Sequence, residues 1–491
     1  MTIPDLLATF LWATKGVLVV VSACFLISGC DDFFVDLYHA IRAVYQRLFE
    51  GLRPEPVTIT QLSEAPEQPI AVMIPAWDEG AIIRQMLETN LARVDYGNLH
   101  IFVGTYPNDP ATQREVEIVS RHHPNVHRVI CPHIGPTNKS DCLNSVYREI
   151  LAHEEALGIR FEVFALNDSE DVIHPQCFKL FNRLVPRFDM VQIPVIPLEV
   201  PWWHFTAGHY LDEFAENHGK EMVVRQSLTG TIPAAGVGCA FSRRALALAA
   251  TDADELFSTD SLAEDYDLGM RLGALGLKQA FVRTAIRTER AISGARSDAS
   301  SAYIAIGEYF PSSFRAAVRQ KARWIIGIAF QGWRKLGWRG NLRMKYGLLR
   351  DRKGLIANAA LALGYGAVIG IVTIWSIQWW DPDFYHFPAI VEQGSWLWDA
   401  ILVNTFFLCL RLCQRCRFVW QLHGWKQALL AIPRQVWGNL INVAAVSRAF
   451  FLFGQSLVTG KSVAWDKTRH RFPADLAPEL VAQIAHRRTP L

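Results

Sequence analysis

Three apolar stretches of this chain have the composition of membrane-crossing helices, and they limit the folds open to it. Residues Leu6 to Gly29 are almost continuously apolar, and Leu355 to Trp375 and Trp396 to Leu410 repeat the pattern. A bilayer core of about 30 Å takes roughly 20 such residues in a helix. The first stretch is too long for the core of a typical signal peptide and its first charge is Asp5, so we expect a membrane anchor.

Basic residues predict the direction of these crossings. Lys and Arg gather on the cytoplasmic side of membrane helices. Here they follow the first stretch, precede the second and follow the third: Arg42, Arg47 and Arg53; Arg350, Arg352 and Lys353; Arg411, Arg415 and Arg417. The loop 381–395 has neither, so it is expected outside. The pattern predicts three crossings, with the region between the first and second in the cytoplasm.

The segment Gln427 to Phe453 is ambiguous. It is apolar but carries Pro433, Arg434 and Arg448, and charges at mid-bilayer are costly. An interfacial or re-entrant helix is as good a reading as a fourth crossing. The basic tail after it is expected in the cytoplasm, and this favours the interfacial reading.

Composition excludes several classes. The chain of 491 residues is 51% hydrophobic, too apolar for a disordered protein. A net charge of +2 argues against a nucleic-acid partner. Nine scattered cysteines suggest no disulfide framework, and Cys409, Cys413 and Cys416 read as membrane-boundary residues rather than a metal cluster.

Between residues 55 and 300, short apolar runs alternate with helical patterns. The expected strands are Ile70 to Ile74, Leu99 to Gly104, Val126 to Cys131, Phe161 to Leu166 and Met190 to Ile196; the expected helices are Ala81 to Leu91, Ala111 to His122 and Ser140 to Glu155. Such alternation predicts an α/β fold with a mostly parallel sheet and helices on both faces. Ligands of such sheets bind beyond the carboxyl ends of the strands.

Polar residues follow the first expected strand. Pro75, Trp77 and Glu79 could form a nucleotide wall, with the indole stacking on a base. A helix cap by Asp78 is the simpler local reading. Further on, Lys139 could approach a diphosphate as a point charge, although Ser140 or Asp141 there could merely cap a helix.

The fourth expected strand delivers Asp168 and Glu170. If the extended conformation persists, both side chains point the same way. Two converging carboxylates suit a hard divalent cation, Mg²⁺ or Mn²⁺, that would also take diphosphate oxygens. An acidic turn with Asp171 as a helix cap is the alternative.

Two later motifs complete the set. Glu264 and Asp265 open a helical pattern, where Asp265 could be a cap or a base that takes a proton from an acceptor hydroxyl. Gln320-Lys-Ala-Arg323-Trp324 lies in a basic, aromatic stretch suited to the membrane surface. Its Arg323 could pair with a diphosphate while Trp324 stacks on a sugar. The loop Gly236-Val-Gly238 is either an acceptor-side wall or a structural turn.

In this order, the motifs resemble the family 2 inverting glycosyltransferases with a GT-A fold, and more narrowly the membrane synthases of cellulose, chitin and hyaluronan. Asp168-Ser-Glu170 stands where that family has its metal-binding Asp-x-Asp. Ala263-Glu264-Asp265 is similar to its Thr-Glu-Asp motif, which implies that Asp265 is the base. Gln320-x-x-Arg323-Trp324 matches its Gln-x-x-Arg-Trp. The family usually has paired aspartates after the second strand, where Asp109 is the stand-in here.

The resemblance implies a division of the chain. It comprises an anchor and connector at 1–54, a GT-A (Rossmann-like) domain at 55–305, interfacial helices at 306–353, a transmembrane pair at 354–425, and an interfacial or re-entrant helix with a cytoplasmic tail at 426–491.

A narrower resemblance, to the inner-membrane glycosyltransferases involved in phage adsorption, rests on residues 433–449 and 465–468. Their relatives resemble polysaccharide secretion enzymes paired with an outer-membrane partner. The expected function is a bacterial inner-membrane transferase that extends an envelope polysaccharide from a UDP-sugar, with UDP-N-acetylhexosamine as one candidate donor. Two alternatives remain: a single addition to a lipid phosphate carrier, or a non-catalytic secretion or docking scaffold.

Overall fold

The computed structural model describes residues 3–49, 57–251, 255–286, 303–381, 388–461, 463 and 471–473. Trp465 to Thr468 and most of the basic tail lie outside this part of the chain. All structural statements below concern the described residues.

A seven-stranded sheet, in the order β3-β2-β1-β4-β8-β6-β9, forms the centre of the α/β unit. All of its neighbouring pairs are parallel except the two that β8 makes with β4 and β6, so the expected mostly parallel sheet is confirmed. The strands are β1 Ile70–Pro75, β2 Leu99–Thr105, β3 Val126–Ile130, β4 Val163–Leu166, β5 Val172–Ile173, β6 Met190–Gln192, β7 Val195–Pro197, β8 Cys239–Ser242, β9 Gln279–Phe281 and β10 Ile306–Glu308.

Helices cover both faces of this sheet, and each face has its own buried apolar cluster. The α-helices of the described residues, those of the membrane region included, are α1 Ile3–Leu48, α2 Ile59–Ser63, α3 Ile83–Arg93, α4 Pro110–His122, α5 Lys139–Leu157, α6 Cys177–Leu184, α7 Phe205–Glu216, α8 Met222–Thr229, α9 Arg243–Ala249, α10 Glu264–Ala274, α11 Phe314–Ile325, α12 Gly332–Leu336, α13 Leu342–Trp380 and α14 Trp396–Thr459. The three helices expected from the βα pattern correspond to α3, α4 and α5.

A second, three-stranded sheet in the order β5-β10-β7 corrects two sequence expectations. The apolar run Met190 to Ile196 is two strands in different sheets, because the chain leaves the large sheet after Gln192 and pairs next with β10. Since Ile306–Glu308 is that partner, the α/β unit continues past the expected boundary at residue 305.

Three described helices, α1, α13 and α14, are long and apolar enough to cross a membrane. They contain the three stretches expected from the sequence. Helix α14 is kinked at Gly424, whose φ of 79° lies in the region that glycine adopts without steric cost.

A cluster of ion pairs joins these three helices at the points where their apolar stretches end. Asp31 and Asp32 of α1 contact Arg350 and Lys353 of α13, and Asp32 also contacts Arg411 of α14. The ends expected on the cytoplasmic side therefore lie together. We call these five residues the membrane junction.

Beyond the kink, α14 packs on the α/β unit instead of leaving it. Arg434, 1% exposed, donates to Asp212 of α7 at 2.7 Å, and Trp437 donates to Thr206 at 3.0 Å. The opposite face is apolar and exposed at Leu429, Ile432, Val436, Leu440 and Phe451. A helix with one face on a domain and the other apolar and unpaired fits the interfacial reading.

Candidate active site

A cavity of about 1030 Å³, its open mouth included, lies at the carboxyl ends of β1 and β4. Five separate chain segments that carry the sequence motifs meet there. The motif residues that line it are Pro75, Trp77, Glu79, Lys139, Asp168, Glu170, Glu264, Asp265, Gln320, Arg323 and Trp324. The structure thus brings together every site residue expected from the sequence except Asp109.

The turn after β4 fixes the orientation of Asp168. The buried Asp171 accepts hydrogen bonds from the Asn167 side chain at 2.7 Å and from the Asp168 backbone at 3.0 Å. No helix follows it, because the chain continues into β5, so the reading of Asp171 as a helix cap is wrong. Asp171 organises the turn and leaves Asp168 and Glu170 on the cavity wall.

Lys139 is the central cation of the cavity. It is the first residue of α5, whose cap is the Asn138 side chain rather than Ser140 or Asp141. Its Nζ lies 2.6 Å from Asp168 and 3.8 Å from Glu264. Burial alone would lower the pKa of Lys139, but the nearby carboxylates outweigh it and hold that pKa above its ordinary value.

The acidic pair of α10 points into the same space. The cap position of this helix, Ala263, makes no side-chain bond, so Asp265 is not a cap but lies in the first turn. Burial and then the Asp265 charge raise the pKa of Glu264 to about 7 against the pull of Lys139. Burial also raises the pKa of Asp265. Raised carboxyl pKa values in a cleft are typical of groups that exchange protons.

Gly236 explains why a glycine loop faces this pair. Its φ is 79°, and a Cβ there would collide with the Asp265 carboxylate. Its neighbours Ala235 and Val237 line the cavity. The loop is therefore both a turn and a wall, and its glycine lets the backbone approach the acid.

Glu308 of β10 is a lining residue that the sequence reading missed. Burial, followed by the charges of Asp171, Glu170 and Asp168, raises its pKa well above the ordinary value. No motif marks it, since it reaches the site through pairing of β10 with β5 and β7. An acid just before the aromatic pair Tyr309 and Phe310 was the only available signal.

Helix α11 contributes the Gln-x-x-Arg-Trp residues and is anchored by the lysine between them. Lys321, buried, donates to Glu213 of α7 at 2.5 Å and to Asn442 of α14 at 2.8 Å. Gln320 and Arg323 line the cavity, and the buried Gln320 side-chain oxygen has no hydrogen-bond partner among the described residues. A ligand could satisfy it.

The loop after β1 forms the opposite wall. Trp77 packs edge-on against Tyr106 with ring centroids 5.2 Å apart. Asp78 is not a helix cap, because α3 begins only at Ile83; its φ of 53° turns the chain. Asp109 lies outside the cavity, where it caps α4 and accepts from the Asp78 backbone at 2.6 Å. It therefore holds the loop that carries Trp77.

The donor set fits a hard divalent cation. Six carboxylates line the cavity, at Glu79, Asp168, Glu170, Glu264, Asp265 and Glu308, against two cations, Lys139 and Arg323. An excess of buried negative charge is costly unless further positive charge arrives. Oxygen donors of this kind are those that Mg²⁺ and Mn²⁺ prefer.

Residues 66–327 match the family described as glycosyltransferase-like family 2. The match covers just over half of the 491 residues, and the chain belongs to this family. Together with the mostly parallel sheet, this gives it a GT-A-like α/β fold.

Among curated proteins, bacteriophage adsorption protein B of Escherichia coli K12 and bacteriophage N4 adsorption protein B of E. coli O157:H7 are each 43% identical to the chain over 480 residues. The alignments cover 96% of this chain but 64% of each relative, so the chain spans about two thirds of their length.

Solved structures are more distant. The mannosyltransferase PcManGT from Pyrobaculum calidifontis, in complex with GDP-Man and Mn²⁺, is 14% identical; the match covers 87% of this chain and 99% of that one, with a TM-score of 0.48. S. aureus TarS 1-349 is 12% identical, with 83% and 97% covered and a TM-score of 0.33.

Proposed function

We propose that the chain is an inverting glycosyltransferase of a bacterial inner membrane that uses a UDP-sugar to extend an envelope polysaccharide. The observation that carries this is the convergence of Asp168, Lys139, Asp265 and Arg323 on one cavity, whose helix α11 is hydrogen-bonded to α14 through Lys321 and Asn442. A UDP-N-acetylhexosamine is one candidate donor.

Each lining residue has a role in this proposal. Pro75, Trp77 and Glu79 form the wall for the nucleobase of the donor. Asp109 acts indirectly, because it holds the loop that carries them. Lys139 and Arg323 bind the diphosphate, while Gln320 and Trp324 hold the transferred sugar or its acceptor. Asp168 and Glu170 would hold Mg²⁺ or Mn²⁺, which would neutralise charge on the leaving diphosphate.

Asp265 takes the proton of the acceptor hydroxyl as the oxygen forms its bond to the anomeric carbon and the bond to the diphosphate breaks. Attack opposite to the leaving group inverts the anomeric configuration. Burial and then the Asp265 charge raise the pKa of the neighbouring Glu264 to about 7, so this second acid can also exchange a proton near neutral pH.

The membrane places the acceptor. The α/β unit is tied to the membrane junction, since Arg350 of that junction pairs with Glu221 at 2.8 Å. The exposed apolar face of α14 would lie against lipid, so that a growing glycan or a lipid-linked acceptor enters from the membrane side. Catalysis would be cytoplasmic, and an outer-membrane secretion partner would receive the product.

The test is nucleotide release by the purified, detergent-solubilised chain with a panel of UDP-sugars and Mg²⁺ or Mn²⁺. We expect turnover with one donor class and its loss in Asp168→Ala, while Glu117→Ala, on the exposed face of α4, behaves as the wild type. A ladder of products supports polymer extension, and one lipid-soluble product supports addition to a lipid phosphate instead. If no donor is turned over, the proposed transferase activity is wrong and the non-catalytic scaffold is favoured.

A further inference from the structure

Three histidines meet on the side of the α/β unit away from the cavity. His100 lies in β2, His127 in the edge strand β3, and His153 in the last third of α5. One nitrogen from each ring can be chosen so that all three lie within 4.8 Å of one another. All three residues are half-buried.

From these contacts, we infer that His100, His127 and His153 form a binding site for a first-row divalent cation, with Zn²⁺ as the best fit. Imidazole nitrogen is a preferred ligand of zinc, and three protein ligands plus water complete its tetrahedral shell. Among the described residues, this is the one group of three or more His, Cys, Asp or Glu with metal-ligand spacing.

The nitrogen separation supports this inference. His100 Nδ1 and His127 Nε2 are 3.2 Å apart. Two nitrogens bound to one tetrahedral zinc at 2.0–2.1 Å would lie about 3.3 Å apart. A hydrogen bond between the two rings also gives such a distance, but it does not account for the third histidine.

His153 provides the second, independent observation. Its Nε2 is buried and has no hydrogen-bond partner among the described residues. Its ring lies 4.3 Å from that of His127, centroid to centroid. A buried imidazole nitrogen without a partner is costly, and a metal bound there would remove this cost.

Aromatic side chains shape the pocket around these rings. Phe102 stacks on His127 at 4.6 Å and Phe161 packs edge-on against His100 at 5.2 Å. These contacts restrict ring rotation, and an apolar shell of this kind limits solvent access to a bound metal.

The position separates such a metal from the proposed sugar transfer, although three protein ligands and one open position are also the arrangement of catalytic zinc sites. His100 and His127 lie near the amino ends of their strands, whereas the cavity lies at the carboxyl ends. Helix α5 links the two places, because Lys139 begins it and His153 follows 14 residues, or about 21 Å, later. A zinc ion would fasten the far end of the helix that positions Lys139.

The test uses the full chain, free of any affinity tag and treated with a chelator, and titrates it with Zn²⁺. We expect one zinc per chain by elemental analysis and a higher melting temperature when zinc is present. His127→Gln and His153→Gln should each weaken zinc binding by about 100-fold or more. Losing a residue that only hydrogen-bonds a metal ligand already lowers affinity by up to about 100-fold, and these two residues are proposed as ligands themselves.

Two controls separate this site from others. The control variants are His122→Gln, at an exposed position of α4, and Asp168→Asn, in the cavity. Both should bind zinc with the affinity of the wild type. X-ray absorption should show imidazole nitrogens at about 2.0 Å. If folded His153→Gln binds zinc as the wild type does, or if the wild type binds none, the inference is wrong. His153→Gln changes one half-buried helix residue, so it serves if His127→Gln fails to fold.

Discussion

Two lysines of this chain, the half-buried Lys139 and the buried Lys220, both face three carboxylates but differ in how far their surroundings are closed to solvent. Lys220 has three carboxylates within 3.5 Å, those of Asp36, Glu216 and Glu221. Lys139 also faces three, those of Asp168, Glu264 and Asp265. The Lys220 side chain is 4% exposed and that of Lys139 is 17% exposed, because the latter lines the open cavity.

The difference lies in what else neutralises the acids. Around Lys220, Arg415 binds Glu216 at 3.0 Å and Arg350 binds Glu221 at 2.8 Å. Despite burial, Arg415 and Lys220 lower the pKa of Glu216 to about 2. Around Lys139 no such closing pairs exist among the described residues, and burial raises the pKa of Glu264 to about 7. A network in which every acid is paired with a cation has a structural role. A network with unpaired acids beside a cavity is suited to binding a ligand.

The largest effect should separate two acids of the same helix. Asp265 belongs to the open cluster, whereas Asp267 forms a closed pair with Arg271 at 2.9 Å. We expect Asp265→Asn to lower kcat by about 10³-fold, within the range of losing a general base, with little change in melting temperature. Asp267→Asn should keep kcat within a few-fold and lower the melting temperature. Sugar-transfer kinetics and thermal unfolding measure both.

Full turnover in Asp265→Asn, or loss of turnover in Asp267→Asn, would contradict the assignment of a catalytic role to the first acid and a structural role to the second. The first result would remove Asp265 from the role of base. The second would show that a closed pair can also be catalytic.

The motif residues of the site could be predicted because each motif is a short local pattern in the sequence. The other cavity residues could not, because their positions depend on which strands pair with each other. Asp168 follows a buried strand, and α/β alternation places it at a sheet edge. Glu308 reaches the cavity only because β10 pairs with β5 and β7, and three residues between loops carry no periodicity to indicate that. The lone histidines at 100, 127 and 153 are likewise too far apart in sequence to suggest a cluster.

Asp109 and Asp171 show that an acid after a strand does not have to face the cavity. Both stand at strand ends, where a ligand site is expected. In the structure, both accept backbone hydrogen bonds that shape loops, while Asp168 and Glu170, in the same turn as Asp171, line the cavity. Sequence identifies the edge of the sheet that holds the site, but backbone hydrogen bonding decides which acids face it.

Exchanging the two lysines for methionine should give opposite phenotypes. Lys220→Met leaves the buried carboxylates of Asp36 and Glu216, and the half-buried one of Glu221, without their central cation. Breaking a buried network of this kind costs about 3–5 kcal/mol. We expect a lower melting temperature and near-normal turnover per folded molecule. Lys139→Met should lower kcat/KM for the donor by about 10²-fold, the scale of one lost transition-state contact. Its melting temperature should fall much less than that of Lys220→Met. Equal losses of stability in both variants would contradict the distinction.

The pH dependence of turnover tests the open cluster as a unit. Asp265 must be ionised to accept a proton, and burial raises its pKa as well as that of Glu264. Because a raised carboxyl pKa keeps the acid protonated to higher pH, kcat should fall as pH drops from about 8 to 5. An unperturbed aspartate, with a pKa near about 3.9, would give a flat profile there. The pair titrates together, so the midpoint belongs to both groups.

Removing the central cation should move this midpoint in a defined direction. Lys139 lowers the pKa of both acids, so its loss raises them further. The residual turnover of Lys139→Met should therefore fall at a higher pH than that of the wild type. Lys220→Met should leave the profile unmoved, since that lysine contacts neither acid. A midpoint that moves to lower pH in Lys139→Met would mean that the ammonium does not act on the catalytic pair.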